Sequence, residues 1–229
     1  MDLTSFLIDW SAVAEIGSQS ADELLIYVFT HGMGLIYAFV IVLMAYDVWH
    51  NYKQVKWLNK IKWIFLAIDI PRDSEQTPKA VEQLFSTLSG AHTPISFKEK
   101  MEGQFQLAFS FEIISIDGYV QFIIRTPDYW RDLVESAIYS QYPDAEITEV
   151  NDYTTDLPVK FPNDDYNMWG TEVVPVASEI YPIRTYTEFE DSVSGEFKDP
   201  MASVIETMSK IRNGEQVWLQ LLIRPTMGT

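Results

Sequence analysis

The chain has 229 residues, with 16 basic against 33 acidic side chains and a net charge of −17. That balance keeps a domain soluble and argues against bulk binding to nucleic acid or anionic lipid. The absence of cysteine excludes disulfides, thiolate zinc sites and cysteine nucleophiles, and the length allows one or two domains.

Residues 1–23 form an arm with Leu3, Phe6, Leu7, Trp10, Val13 and Ala14 at helical spacing. It reads either as a helix lying on the outer face of a membrane or as a poorly ordered terminus. From Leu24 to Tyr46 there is no Asp, Glu, Lys or Arg. A bilayer core needs about 20 apolar residues in helix, so one transmembrane helix is expected over 24–49. Inside it, His31 with Gly32 and Gly34 reads as a helix–helix interface, since small residues allow close approach and a histidine in hydrocarbon seeks a partner. The alternative is a neutral His31 reaching back to the headgroups. Trp49, Tyr52, Lys53, Lys56 and Trp57 read as membrane-anchor residues, aromatics at the headgroup level and lysines at the phosphates.

Charge also suggests an orientation. Asp2, Asp9, Glu15, Asp22 and Glu23 precede the apolar run, and Lys53, Lys56, Lys60 and Lys62 follow it in the basic segment 50–62. By the positive-inside rule the expectation is a single-pass protein of the inner membrane, arm outside and large domain cytoplasmic. A cleaved signal peptide is not expected, because the arm lacks a basic leader.

From Trp63 the period changes. Residues 63–71 read as a strand closed by Pro71, and Thr77-Pro78 opens a helix with Val81, Leu84, Phe85 and Leu88 inward, stopped at Gly90. Residues 91–103 read as a loop. Gln104–Ile114 alternates, with Phe105, Leu107, Phe109, Phe111 and Ile113 on one face and Gln104, Gln106, Ser110 and Glu112 on the other. Asp117-Gly118 is a hairpin signal, and residues 119–125 are the return strand. Thr126-Pro127 opens a second helix with Trp130, Leu133, Val134, Ala137 and Ile138 inward, ended by Pro143, and residues 145–150 make a last strand.

The order over 63–150 is the ferredoxin-like split βαβ arrangement. Residues 151–170, rich in Asp, Pro and Asn, form an acidic linker. Residues 171–229 read as a β-α-β extension: extended over 171–186, a helix opened by Asp199-Pro200 and stopped at Asn213-Gly214, and a strand over 217–224. The expected fold class is therefore α+β, an N-terminal transmembrane helix followed by a ferredoxin-like (βαββαβ) domain with that extension.

Motifs for chemistry are sparse. None of the ten glycines is followed by lysine, so there is no P-loop, and no G-x-G-x-x-G occurs. The histidines stand alone at 31, 50 and 92, and no serine sits in G-x-S-x-G. Carboxylates between 144 and 165, Asp164 and Asp165 foremost, could offer oxygen ligands to calcium or magnesium. Their spacing matches no EF-hand loop, and a solvated acidic flank is the favoured reading of such a run. Neither a catalytic residue nor a cofactor is expected.

Several stretches carry a likeness: Ile70-Pro71-Arg72-Asp73, residues 78–85, Leu88-Ser89-Gly90, residues 109–113, the run Arg131 to Pro143, and Trp218 to Pro225. Together they resemble the membrane-proximal N-terminal region of type IV secretion or conjugation-type, DNA-pumping ATPases of small-genome bacteria. The likeness covers residues 63–225 and rests on packing motifs rather than on a site. In such proteins a helicase-like hexameric motor follows; it is absent from this sequence. The end at Met227-Gly228-Thr229, directly after a strand, is expected to be that of a front part, a stand-alone relative being the alternative.

The resemblance implies anchoring, oligomer formation and contact with envelope components. The expected function is a membrane-anchored, non-catalytic scaffold domain of a secretion or DNA-transfer ATPase. Its partners would be the lipid bilayer and further copies or subunits, without direct nucleic-acid binding. Gln104–Ile114 or Val217–Arg224 could supply a sheet edge for assembly. The alternatives are a membrane-tethered cation-binding or hydrolytic enzyme using residues 144–165, and a stand-alone structural subunit.

Overall fold

The computed structural model describes residues 22, 26, 29, 33–71, 78–176, 199 and 201–226. They fall into two units, residues 1–58 with 96–104, and residues 59–95 with 105–229.

In the first unit, helix α1 runs Met33–Leu58 over 26 residues. No glycine or proline follows Gly34 within it, so nothing breaks the helix where the apolar run gives way to Asp47, His50, Lys53 and Lys56. This corrects the expected span. Among the described residues no helix is long and apolar enough to cross a membrane. The uncharged part of α1, Met33 to Tyr46, rises only about 21 Å against an apolar thickness of about 30 Å. Residues 24, 25, 27, 28 and 30–32 of the expected span, and the arm 1–21, lie outside the described residues.

Where a loop was expected over 91–103, a short helix α3 spans Phe97–Met101. Its start is a capping box: the Glu99 amide donates to Ser96 Oγ, and the Ser96 amide donates to the Glu99 carboxylate at 2.8 Å. The Ser96 hydroxyl, which donates to the same carboxylate at 2.6 Å, and then the Ser96 amide hold the Glu99 carboxyl below its ordinary range. Tyr46 donates to Met101 Sδ at 3.6 Å, and His50 Nε2 lies 3.2 Å from the Lys100 carbonyl oxygen, so α3 packs on α1. Gly103 follows with φ +88°, and a Cβ there would stand 2.5 Å from the Lys53 carbonyl carbon.

The second unit is a five-stranded antiparallel sheet with helices, an α+β arrangement. Its elements are β1 Trp63–Asp69, α2 Pro78–Leu88, β2 Phe109–Ile116, β3 Tyr119–Pro127, α4 Arg131–Gln141, β4 Glu146–Val150, α5 Ala202–Ser209 and β5 Gln216–Ile223. The strand order is β4-β1-β3-β2-β5. Asp117 and Gly118 turn the β2–β3 hairpin with φ of 55° and 85°, the left-handed pair a two-residue turn requires.

One sheet face packs on α2 and α4. Ile64, Leu66, Phe109 and Ile124 meet Leu84, Leu88, Val134, Ala137 and Ile138 there. Aromatic pairs fill the gaps: Phe109 against Trp130 at 4.7 Å and Phe85 against Phe111 at 5.1 Å between centroids. The other face carries a second, smaller core of Phe65, Ile114, Ile123 and Tyr153, with Trp218, Val150 and Ile116 against it.

Boundaries differ from the sequence reading for local reasons. β2 begins at Phe109 rather than Gln104; ahead of it the Gln106 side chain ties the chain to residues 91–93, its Oε1 accepting from the Thr93 amide at 3.0 Å and its Nε2 donating to the Ala91 carbonyl at 3.3 Å. Pro127 ends β3, and a 3-10 turn over Asp128–Trp130 precedes α4. Asp199 Oδ1 accepts from the Met201 amide at 2.8 Å before α5 begins. Of the expected extended stretch 171–186, residues 171–176 form no strand, and the rest lies outside the described residues. β5 joins the main sheet beside β2.

Candidate functional site

The second sheet face holds a buried, hydrogen-bonded polar cluster. Ser110, Glu112 and Ile114 point to this face from β2, and the ladder sets Glu112 opposite Ile123 of β3 and Gln220 of β5. After β4 the chain turns over the sheet, with Asp152 Oδ1 accepting from the Thr154 amide at 2.9 Å and from its hydroxyl at 2.6 Å. This Asx turn delivers Tyr153 onto the face. Its ring packs edge-on against Trp218 at 4.9 Å and Phe65 at 6.0 Å.

The polar atoms close into one network. Tyr153 donates to Glu112 Oε2 at 2.7 Å, Ser110 donates to Glu112 Oε1 at 2.7 Å, and Gln220 Nε2 donates to the Tyr153 oxygen at 2.9 Å. Glu112 is 3% exposed and Tyr153 8%. Burial, reinforced by the Glu112 carboxylate, pushes the Tyr153 phenol well above its ordinary value of 10.0. The phenol therefore keeps its proton, which satisfies one buried carboxylate oxygen while Ser110 satisfies the other. Such an arrangement holds a proton rather than releasing one. It fastens the 151–155 turn to the sheet.

A cationic side chain borders the cluster: the Arg125 guanidinium stacks over Trp63 at 4.2 Å, with Phe65 at 5.8 Å. On the helical side, Arg131 bonds both Glu135 and Glu149, tying α4 to β4 and raising its own already high pKa. These carboxylates are thus engaged in structural pairs.

The residues singled out from sequence are dispersed. Asp164 and Asp165 are exposed, and the loop there is held by Asn163, whose Oδ1 accepts from the amides of Asp165 and Tyr166 at 3.0 and 2.6 Å. Among the described residues no group of three His, Asp or Glu side chains is placed to hold a metal ion. Trp49, Tyr52, Lys53, Lys56 and Trp57 all lie on α1. The Lys53 ammonium sits 5.5 Å from the Trp49 ring and the Lys56 ammonium 6.0 Å from the Tyr52 ring, each pair one helical turn apart. His31 and Gly32 lie outside the described residues, and a Cβ added to Gly34 would meet nothing within 4 Å.

Sequence reasoning placed Glu112 on a polar strand face and passed over Tyr153. The available signal was the Ser110-x-Glu112 pair on a strand that acquires a second neighbour, β5, carrying Trp218 and Gln220 in register. Comparison with protein-family models, with curated proteins and with solved structures gave no match.

Proposed function

We propose that this chain is an assembly domain, non-catalytic in itself, of a secretion or DNA-transfer ATPase complex. One observation carries the reading: α1 exposes apolar side chains around its circumference. Ile36, Phe39, Ile41, Val42 and Met44 are each more than half exposed. Successive residues advance by about 100°, so these five point in all directions. A helix apolar on every side is stable when other surfaces cover it, and neighbouring subunits supply that cover. The likeness of residues 63–225 to the membrane-proximal region of DNA-pumping ATPases supports the setting. The lack of a phosphate-cradling glycine loop in the sequence supports a scaffolding role.

The test is the mass of the full chain in mild detergent by light scattering across concentration. The expected result is a species heavier than the 26.4 kDa monomer, shifted toward monomer by Phe39→Ser with Val42→Ser at unchanged far-UV circular dichroism. A single monomeric species at every concentration refutes the proposal.

A further inference from the structure

We infer that the outer edge of β5 pairs antiparallel with the same edge of a second copy, about a two-fold axis at Gln220. This rests on the assembly reading above and names the surface and the partner.

β5 bonds β2 along one side, and among the described residues no strand bonds its other side. That side is a row of N–H and C=O groups ready to template another strand. Proteins usually blunt such edges with lysine, proline, charge or shortness. β5 has none of these: Gln216–Ile223 is eight residues long, uncharged and free of proline. The opposite border of the sheet, β4, is five residues long and carries Glu146 and Glu149. Leu221 and Leu222 on β5 remain 56% and 68% exposed.

Charge limits where a second copy can sit. Two chains of net charge −17 repel at most points of their surfaces, and the β5 edge is a long strand where no like charges meet. The strand is also complementary to itself. With the axis at Gln220, Val217 faces Ile223, Trp218 faces Leu222, Leu219 faces Leu221, and Gln220 faces its own counterpart. Apolar side chains then meet apolar ones, the central Gln220 amide meets an amide, and Gln216 at the strand's start faces Arg224. Moving the axis by one residue sets Gln220 against Trp218 or against Leu222. An antiparallel two-fold of this kind runs perpendicular to the sheet, so α2 and α4 of both copies stay on one side of a continuous sheet.

The absence of cysteine makes the test clean. Opposed residues of an antiparallel pair have Cα atoms about 4.5 or 5.5 Å apart, inside the range a disulfide spans. The full-length Gln220→Cys chain is oxidised with copper phenanthroline, beside Glu146→Cys on the β4 border. The inference expects Gln220→Cys to form disulfide-linked dimer about tenfold faster. Adding Leu222→Lys, at a position 68% exposed in the single chain, slows that cross-linking about tenfold by removing two Trp218–Leu222 pairs. If the chain assembles by light scattering yet the two cysteine variants cross-link equally and Leu222→Lys changes nothing, the β5 inference falls and the assembly reading stands. If the chain is monomeric throughout, both fall.

Discussion

Replacing Tyr153 by phenylalanine deletes one oxygen and keeps the ring between Phe65 and Trp218. The Glu112 carboxylate, 3% exposed, then loses the donor it had at 2.7 Å. Gln220, on the solvent side, can turn its amide to water. The cost is thus mainly a lost hydrogen bond to a buried charge, about 2 kcal/mol, or a melting temperature lower by about 6 °C for a domain of this size. The phenol adds a pH signature. Its folded-state pKa lies above the ordinary 10.0, so its contribution is complete below about pH 10 and is lost as pH rises beyond it, by up to about 1.4 kcal/mol per unit. Urea unfolding followed by tryptophan fluorescence, at several pH values, measures both effects. The gap between wild type and Tyr153→Phe should be about 2 kcal/mol at neutral pH, hold to about pH 9.5, and narrow steadily as pH rises past about 10. Tyr129 and Tyr142, whose phenols are also raised by burial, cancel in the difference. A gap below about 0.5 kcal/mol at neutral pH, or one that stays constant into alkali, refutes the reasoning.

Other substitutions probe the packing around this face. Ser115 is fully buried and donates to the Met208 carbonyl at 2.7 Å; Ser115→Ala should cost about 2 kcal/mol and speed amide exchange in α5. Gly118 has φ +85°, and a Cβ there would stand 2.9 Å from the Ser209 carbonyl oxygen. Gly118→Ala should therefore destabilise by about 2 kcal/mol in urea titration, whereas Gly90→Ala, which meets nothing within 4 Å, should not. Calcium or magnesium at about 1 mM should leave the melting temperature within about 1 °C. A rise of several degrees, lost in Asp164→Asn with Asp165→Asn, would restore the cation-binding alternative.

Much of the sheet was legible because its signals are local. The alternation of 109–113, the Asp117-Gly118 turn and the helical spacing of Val134, Ala137 and Ile138 each declare their period within one element. Two features were not legible. The apolar run before Tyr46 suggested a membrane length, but helix continuity is decided by the backbone, and α1 carries on through polar residues to Leu58. The burial of Glu112 depends on which strand lies beside β2 and on a turn 41 positions away, and neither is written in the pattern of β2 itself. Ser110 and Glu112 look like a solvated face until β5 and Tyr153 cover them.

The β2–β3 turn is fastened to residues made much later. Asp117 accepts from the Gly214 amide at 2.6 Å across 97 positions and donates its own amide to the Glu215 carbonyl at 3.2 Å. On the ribosome, strands β1 to β4 emerge long before β5. At about 5–20 residues per second, β2 waits for seconds with one border bare and Glu112 still wet. Among the described strands β5 is the latest made, and its arrival covers the bare border of β2; until then the nascent intermediate is the form most exposed to pairing with the wrong neighbour.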